Sequence, residues 1–393
     1  MKRLRKLVWL VIIIAFIAAI LALRDLPING NRDDLNFVRS QERESIAFIM
    51  GEDSNPENPF YAKATDYYRY SQTDRTEYVI TSCRSLVEVR NYLKNNPPGN
   101  NNPWGVINIV THSNEWSGLG VPIIPGGKRT TTESLMAAIE SGRFLALANN
   151  IVDAQTEIRI HGCALGRDQE LLTTVSKAFG GDDIDLQRPV VRSCRYFLFY
   201  ETTRHKGQLV GCKQYMSDFW YAFYRTGYRP GDIRLSNQLR QRYPEVDMDW
   251  RDALTRTKPR WLGDSFHYTF RVPIKWIVTY PDPDSRPDLT KKGDQQTWIN
   301  EQIELQQYLD DFGIPIDCFR WRFKNIDYTY DDGPKEAAIR AVGNCTVLCV
   351  LKVLTVPDLN DPTNRQPLSP SVTDNVYYEA EIPGMNAVVK KQL

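Results

Sequence analysis

His112 and Cys163 are the residues of this 393-residue chain whose types and placement could do chemistry together. A thiol attacks a carbonyl as thiolate, so it needs a base beside it and N–H donors to hold the oxyanion that follows. His112 closes the apolar run Val106-Ile107-Asn108-Ile109-Val110-Thr111, and Cys163 closes Glu157-Ile158-Arg159-Ile160-His161-Gly162. Taken singly, a cysteine on an apolar strand is more often a packed thiol, and a lone histidine a satisfied polar group. The pair raises the case: two β-like runs, a helical segment between them, and a reactive side chain at the carboxyl end of each. Gly162 and Ala164 leave room for a carbonyl beside the thiol, and Ser117-Gly118-Leu119-Gly120 can turn the chain tightly after the histidine. The backbone N–H groups of Ser113 and Cys163 are the candidate oxyanion donors.

The elements that must position this pair begin at Ser45-Ile46-Ala47-Phe48-Ile49-Met50-Gly51, a buried type of strand. A helix over 61–70, a strand over 77–81 and a helix over 85–95 follow, the last with Leu86, Val87, Val89, Tyr92 and Leu93 at helical spacing. Thr130 to Leu135 has the capping residues of a helix start, continuing in pieces to Ala148. Asp168 to Phe179 is a helix closed by Gly180-Gly181, and a further strand region starts at Pro189 and runs towards Tyr200. Strands alternating with helices predict an α/β fold, a mostly parallel sheet with helices on both faces. Ligands of such sheets sit at the carboxyl ends of the strands, where His112 and Cys163 lie.

After about Gly211 the pattern changes. Met216 to Tyr228 is aromatic-rich and reads as helical, 233–242 as a helix, and Trp250 to Thr255 as the start of another. Phe266 to Tyr280 alternates like strands, with Pro273 as an edge or break. Trp298 to Phe312 reads as one helix with Ile299, Ile303, Leu305, Tyr308 and Leu309 on its apolar side, and Thr346 to Thr355 as a strand. Residues 45–210 are therefore expected to form one domain and 211–393 a C-terminal α+β domain or extension without a chemical motif.

At this point the residues resemble a known family. The order strand, helix, strand, helix, strand-His, helix, strand-Cys is similar to the caspase-like fold of clan CD cysteine peptidases, which include caspases, metacaspases, legumain, gingipains, separase and CHAT-type peptidases. The motifs are Ile109-Val110-Thr111-His112-Ser113 and Ile160-His161-Gly162-Cys163-Ala164, and the resemblance covers about Ser45 to Tyr200. It implies a cysteine endopeptidase with a His112/Cys163 dyad. His112 would be general base and then general acid, and Cys163 would form an acyl-enzyme that water hydrolyses. It implies a protein or peptide substrate and no cofactor. It also places His161, two before the cysteine, in the substrate pocket, where a histidine gives no reason to expect Arg or Lys specificity. Ser113 departs from the family, which usually has Gly there. Its side chain restricts the angle that aims the oxyanion donor. The alternative is thus an inactive caspase-like binding or scaffold protein at the membrane.

Two further readings of the histidines are open. His161 could itself be the base, but side chains two apart on one strand splay too far for a good hydrogen bond. A metal site from His112, His161 and Cys163 has too few ligands at a recognised spacing, so no metal is expected. The oxygen-rich stretches 52–55 and 181–185 match no full calcium loop and read as solvated turns.

The amino terminus has its own signature. Residues 1–6 are basic, and 7–23 form an apolar run without a charge, roughly 25 Å as a helix. This reads as a transmembrane anchor with a cytoplasmic basic tail, a linker over 24–44 and the bulk outside the cytoplasm. A signal peptide, with secretion after cleavage, is the competing reading. In an oxidising compartment the seven cysteines leave one unpaired, and Cys163 is the natural remainder, although free buried thiols fit equally. The net charge of +1 gives no electrostatic argument for nucleic acid. Oligomeric state is not legible.

Overall fold

Ser45–Ile49 is apolar on every residue after the first and forms β1, buried on both faces. The computed structural model describes residues 43–357, 365–367 and 377–379, apart from 54–58, 72–73, 75, 77, 100–101, 182–187, 259–262 and 330–334. β1 lies between β3 and the edge strand β2 in a six-stranded sheet of β1, β2 (Tyr78–Ile80), β3 (Val106–Val110), β7 (Glu157–His161), β8 (Val190–Cys194) and β16 (Tyr377–Glu379). The order is β16-β8-β7-β3-β1-β2. All pairings are parallel except β16 on β8.

Register explains the core. Ile46 pairs with Ile107 and Ile107 with Ile158, while Phe48 pairs with Ile109 and Ile109 with Ile160. These rows face one cluster with α2 (Leu86–Asn95), α3 (Thr132–Glu140) and α4 (Gln169–Gly180). Each such side chain contributes roughly 1.5–3 kcal/mol over leaving it in water. The opposite face, through Ala47, Ile49 and Val110, packs on α1 (Phe60–Tyr70). The protein is therefore a mixed α/β structure with a parallel sheet flanked by helices.

Local chemistry sets the helix starts. Ser85 accepts the Glu88 N–H, and the Glu88 carboxylate accepts the Ser85 hydroxyl and the Arg84 N–H. Thr131 and Ser134 cap each other reciprocally at α3, and Asp168 accepts the Leu171 N–H at α4. At α1 the cap comes from a distance: the Asp53 carboxylate accepts the Tyr61 and Ala62 N–H groups, both at 2.9 Å.

A second sheet follows the order β11-β13-β10-β9, with β12 also on β13. Its strands are β9 (Phe197–His205), β10 (Gln208–Arg225), β11 (Ser265–Tyr280), β12 (Arg320–Thr329) and β13 (Lys335–Val353). The helix expected over 216–228 is instead part of β10. Phe219, Tyr221 and Phe223 enter one cluster, and Trp220, Ala222 and Tyr224 another. With both faces covered the run is apolar throughout, and periodicity cannot tell such a strand from a buried helix. The helices expected over 233–242 and from Trp250 are α5 (Asp232–Arg242) and α6 (Trp250–Ala253), but the single helix expected over 298–312 is two, α7 (Lys292–Asn300) and α8 (Ile303–Asp311). Ile299 and Leu305 are both buried but six positions apart, which one straight helix would put on different sides. Ile303, expected on the apolar side, is 64% exposed. Pro273 lies in β11, which among the described residues is an edge strand paired with β13 alone, where a proline is tolerated.

The described residues from Glu44 onward make one compact unit. The boundary expected at 210/211 falls inside β10, and β9, its hairpin partner, already belongs to the second sheet. The expected transmembrane segment 7–23, with its flanks 1–6 and 24–42, lies outside the described residues. Among the described residues no helix is long and apolar enough to cross a membrane.

Candidate functional site

The carboxyl ends of β3 and β7 do converge. Val110 pairs with His161, and the Thr111 N–H donates to the His161 carbonyl at 3.2 Å. One step further the Ser113 hydroxyl donates to the Cys163 carbonyl at 3.0 Å. Gly162 permits this approach: a Cβ on it would stand 2.1 Å from the Ser113 Oγ. Ala164 turns the chain away in the left-handed region, at φ 58°, and its N–H donates to the Tyr196 carbonyl. Ser113, expected to aim an oxyanion donor, is buried, and its side chain bridges the two strand ends. It opens β4 (Ser113–Asn114), which pairs with β5 (Gly118–Pro122); Arg129 braces this loop by donating to the Ser117 and Gly118 carbonyls.

His112 and Cys163 are near neighbours along these ends but face different surroundings. The His112 ring stacks on Phe60 at 4.7 Å and meets Tyr61 edge-on at 4.9 Å. Its backbone N–H donates to the Tyr61 hydroxyl. The residue is exposed, yet desolvation of the ring against these neighbours, and then the Arg129 charge, lower its pKa. Among the described residues neither ring nitrogen makes a hydrogen bond to the Cys163 sulfur.

Cys163 keeps some accessible surface, yet its thiol packs against the apolar cluster of the second sheet, which includes Phe197, Phe219 and Tyr221. Burial pushes the thiol up to about 12, offset in part by the Leu198 backbone amide. Cys349 and Tyr268 are close enough that ionising Cys163 would disfavour their own ionisation. Trp116, four residues after His112, enters the same region, its ring 4.5 Å from Tyr221 and 6.0 Å from Phe270. The second sheet therefore covers the thiol. All seven cysteines are unpaired thiols.

His161 does not line an open pocket. It is 4% exposed, shares a hydrogen bond at 2.8 Å between its Nε2 and the Asn108 Oδ1, and accepts from the Gln214 amide at Nδ1. Gln214 also donates to the Tyr200 hydroxyl. Burial, helped by Arg159, lowers the His161 pKa to about 3. A neutral imidazole with its lone pair already occupied is a poor base and a poor metal ligand. Among the described residues no group of three or more His, Cys, Asp or Glu could hold a metal ion.

A cavity of about 740 Å³ opens beside the loops that follow β4 and β7. Its lining includes Glu115, Trp116, Arg167, Asp168, Tyr221 and Tyr308. Burial raises the pKa of Glu115 despite Arg167 beside it, and raises Asp168 to about 6. These residues were not singled out from the sequence. The available signal was position, since Glu115 follows His112 by three residues and Arg167 follows Cys163 by four, in the loops at the functional edge of the sheet. No protein family, curated protein or solved structure matches the chain.

Proposed function

We propose that this chain is a non-catalytic binding or scaffold protein, in which His112 and Cys163 pack the ends of two strands instead of cutting peptide bonds. One observation carries the reading. The Cys163 thiol packs against the cluster of the second sheet, is pushed up to about 12, and among the described residues has no hydrogen bond to His112. Moving a proton from such a thiol to an imidazole whose own pKa is lowered is unfavourable before any bond to substrate forms. A productive dyad arranges the opposite, a thiol pulled down by a neighbouring imidazolium. Held at the membrane by residues 7–23, such a protein would present its surfaces outside the cytoplasm.

The test is a thiol-reactive peptide probe on the purified chain. Native protein should show no labelling at Cys163, and Cys163→Ala and His112→Ala should behave like the parent. Labelling that both substitutions abolish would instead assign a peptidase. One observation favours that second reading in a closed form. The bridge from Ser113 to the Cys163 carbonyl brings the two caspase-like motifs side by side at the sheet edge. An enzyme held closed would label only after a partner or a cut displaced Trp116 and the second sheet.

A further inference from the structure

The second sheet has an open edge at β12. β13 gives one side to β11, from Lys352 to Ala337. It shares the other side between two strands: β10 ends at Arg225 opposite Cys345, and β12 begins at Arg320 opposite Asn344. Among the described residues no strand lies beyond β12. In an antiparallel edge strand, the residues not bonded to the partner point their N–H and C=O groups outward, open to another chain. Among the described residues the backbone of Arg320–Thr329 has one hydrogen bond besides those to β13, from the Arg286 guanidinium to the Ile326 carbonyl at 3.4 Å. The outward groups from Arg320 to Phe323 are left without one.

A second, independent feature lies on the same stretch. A cavity of about 480 Å³ is lined by β12 from Arg320 to Phe323, by the turn from Arg225 to Tyr228, and by Lys292 and Gln295 of α7. Four of its lining residues are cations, Arg225, Lys292, Arg320 and Arg322, and none is Asp or Glu. The charge continues along the strand. Arg320, Arg322 and Lys324 alternate and so share one face of the sheet. Lys324 stands directly opposite Arg340 of β13, an arrangement that destabilises a sheet. Among the described residues neither makes an ion pair that would offset it. Charges on an edge strand keep copies of a protein from pairing with each other. The same charges admit an acidic strand, because they repel only a chain of their own sign.

We propose that the free edge of β12 takes up an extended acidic segment of a partner polypeptide as an added strand. Backbone hydrogen bonds to the edge give such a segment its affinity, and alternate side chains give it specificity. Its carboxylates lie on the face of Arg320 and Arg322, and the residues between them on the face of Trp321 and Phe323. This deepens the binding reading by naming a class of partner. It rests on that reading for its biological sense, but its test does not use the thiol.

The experiment is fluorescence anisotropy of dye-labelled, acetylated peptides alternating Glu and Val, titrated with the full chain. The acidic peptide should bind, more weakly as salt rises, and the same peptide with Lys for Glu should not. Two analogues carry backbone N-methyl groups, one at every Glu and the other at every Val. Residues of a strand whose side chains share a face also share the direction of their N–H groups, so one analogue should lose binding and the other keep it. Arg320→Gln with Arg322→Gln should weaken binding of the acidic peptide about tenfold or more without lowering the melting temperature. No binding, binding kept or lost with both analogues, or indifference to the arginine changes would overturn the proposal. So would binding of a duplex oligonucleotide or of anionic vesicles without binding of the peptide, which would give these charges another partner. Peptide binding with a reactive Cys163 would sink the non-catalytic reading and leave this one standing. An inert Cys163 with no peptide binding would do the reverse.

Discussion

Replacing Gly162 by alanine tests the convergence of the two strand ends directly. The added methyl would stand 2.1 Å from the Ser113 Oγ, 2.9 Å from the Ser113 Cβ and 3.0 Å from the Thr111 carbonyl oxygen. The hydroxyl can rotate away only by giving up its bond to the Cys163 carbonyl, and the Cβ can retreat only if the backbone moves. Overpacking of this kind costs roughly 1–3 kcal/mol, and the lost bond adds about 1 kcal/mol, so Gly162→Ala should cost about 3 kcal/mol. Ser113→Gly alone should cost about 1–2 kcal/mol, from the lost bond and the freer backbone. In the double variant the Ser113 clashes disappear and only the tight approach to Thr111 remains, so the pair should cost about 2 kcal/mol. The coupling is then favourable by about 2 kcal/mol or more, well outside the error of a double-mutant cycle. Urea unfolding of the four proteins, followed by tryptophan fluorescence, measures it. If the two single costs add, or if Gly162→Ala is neutral, Ser113 does not sit between the strand ends as described.

Three other outcomes are expected. At pH 8 a thiol at about 12 is ionised about a thousandfold less than one at 9.0, and its greater intrinsic nucleophilicity recovers only part of this. Iodoacetamide should thus modify Cys163 at least about 40-fold more slowly in native than in unfolded chain by peptide mass spectrometry; equal or faster native reaction would refute its enclosure. His161, at about 3 when folded and 6.5 when free, contributes stability that is complete above pH 6.5 and lost as pH falls from 6.5 towards 3, because the unfolded chain binds the proton first. The slope from this group approaches about 1.4 kcal/mol per pH unit, and His161→Gln should flatten the profile between pH 6 and 4; an unchanged slope would show that His161 titrates normally. Asn108→Leu removes the acceptor opposite the His161 Nε2 and should cost about 1–3 kcal/mol in urea unfolding, whereas a neutral result would mean that the buried N–H finds another acceptor.

The first sheet was legible because its signals are local. Ser45–Ile49, Val106–Val110 and Glu157–His161 are short apolar runs, and Ser85 with Glu88 and Thr131 with Ser134 mark helix starts within one turn. The second sheet was harder to read. In β10 the residues from Trp220 to Tyr224 are all apolar because clusters cover both faces, and that coverage comes from segments more than a hundred residues downstream, such as Val347 to Leu351. Asp53 as the distant cap of α1 was invisible for the same reason, since Pro59 holds the local cap position.

The opening pair divides along the same line. The sequence by itself determined that His112 and Cys163 each follow a short apolar strand, because strand length and apolar pattern are properties of contiguous residues, whereas the pairing of those strands is tertiary. Tertiary structure alone decided what surrounds each side chain. Phe60 and Tyr61 of α1 hold the His112 ring, while the cluster around Phe197, Phe219 and Tyr221 encloses the Cys163 thiol. A thiol's ionisation follows from the atoms packed around it. In this chain those atoms come from a second sheet whose placement no local pattern encodes.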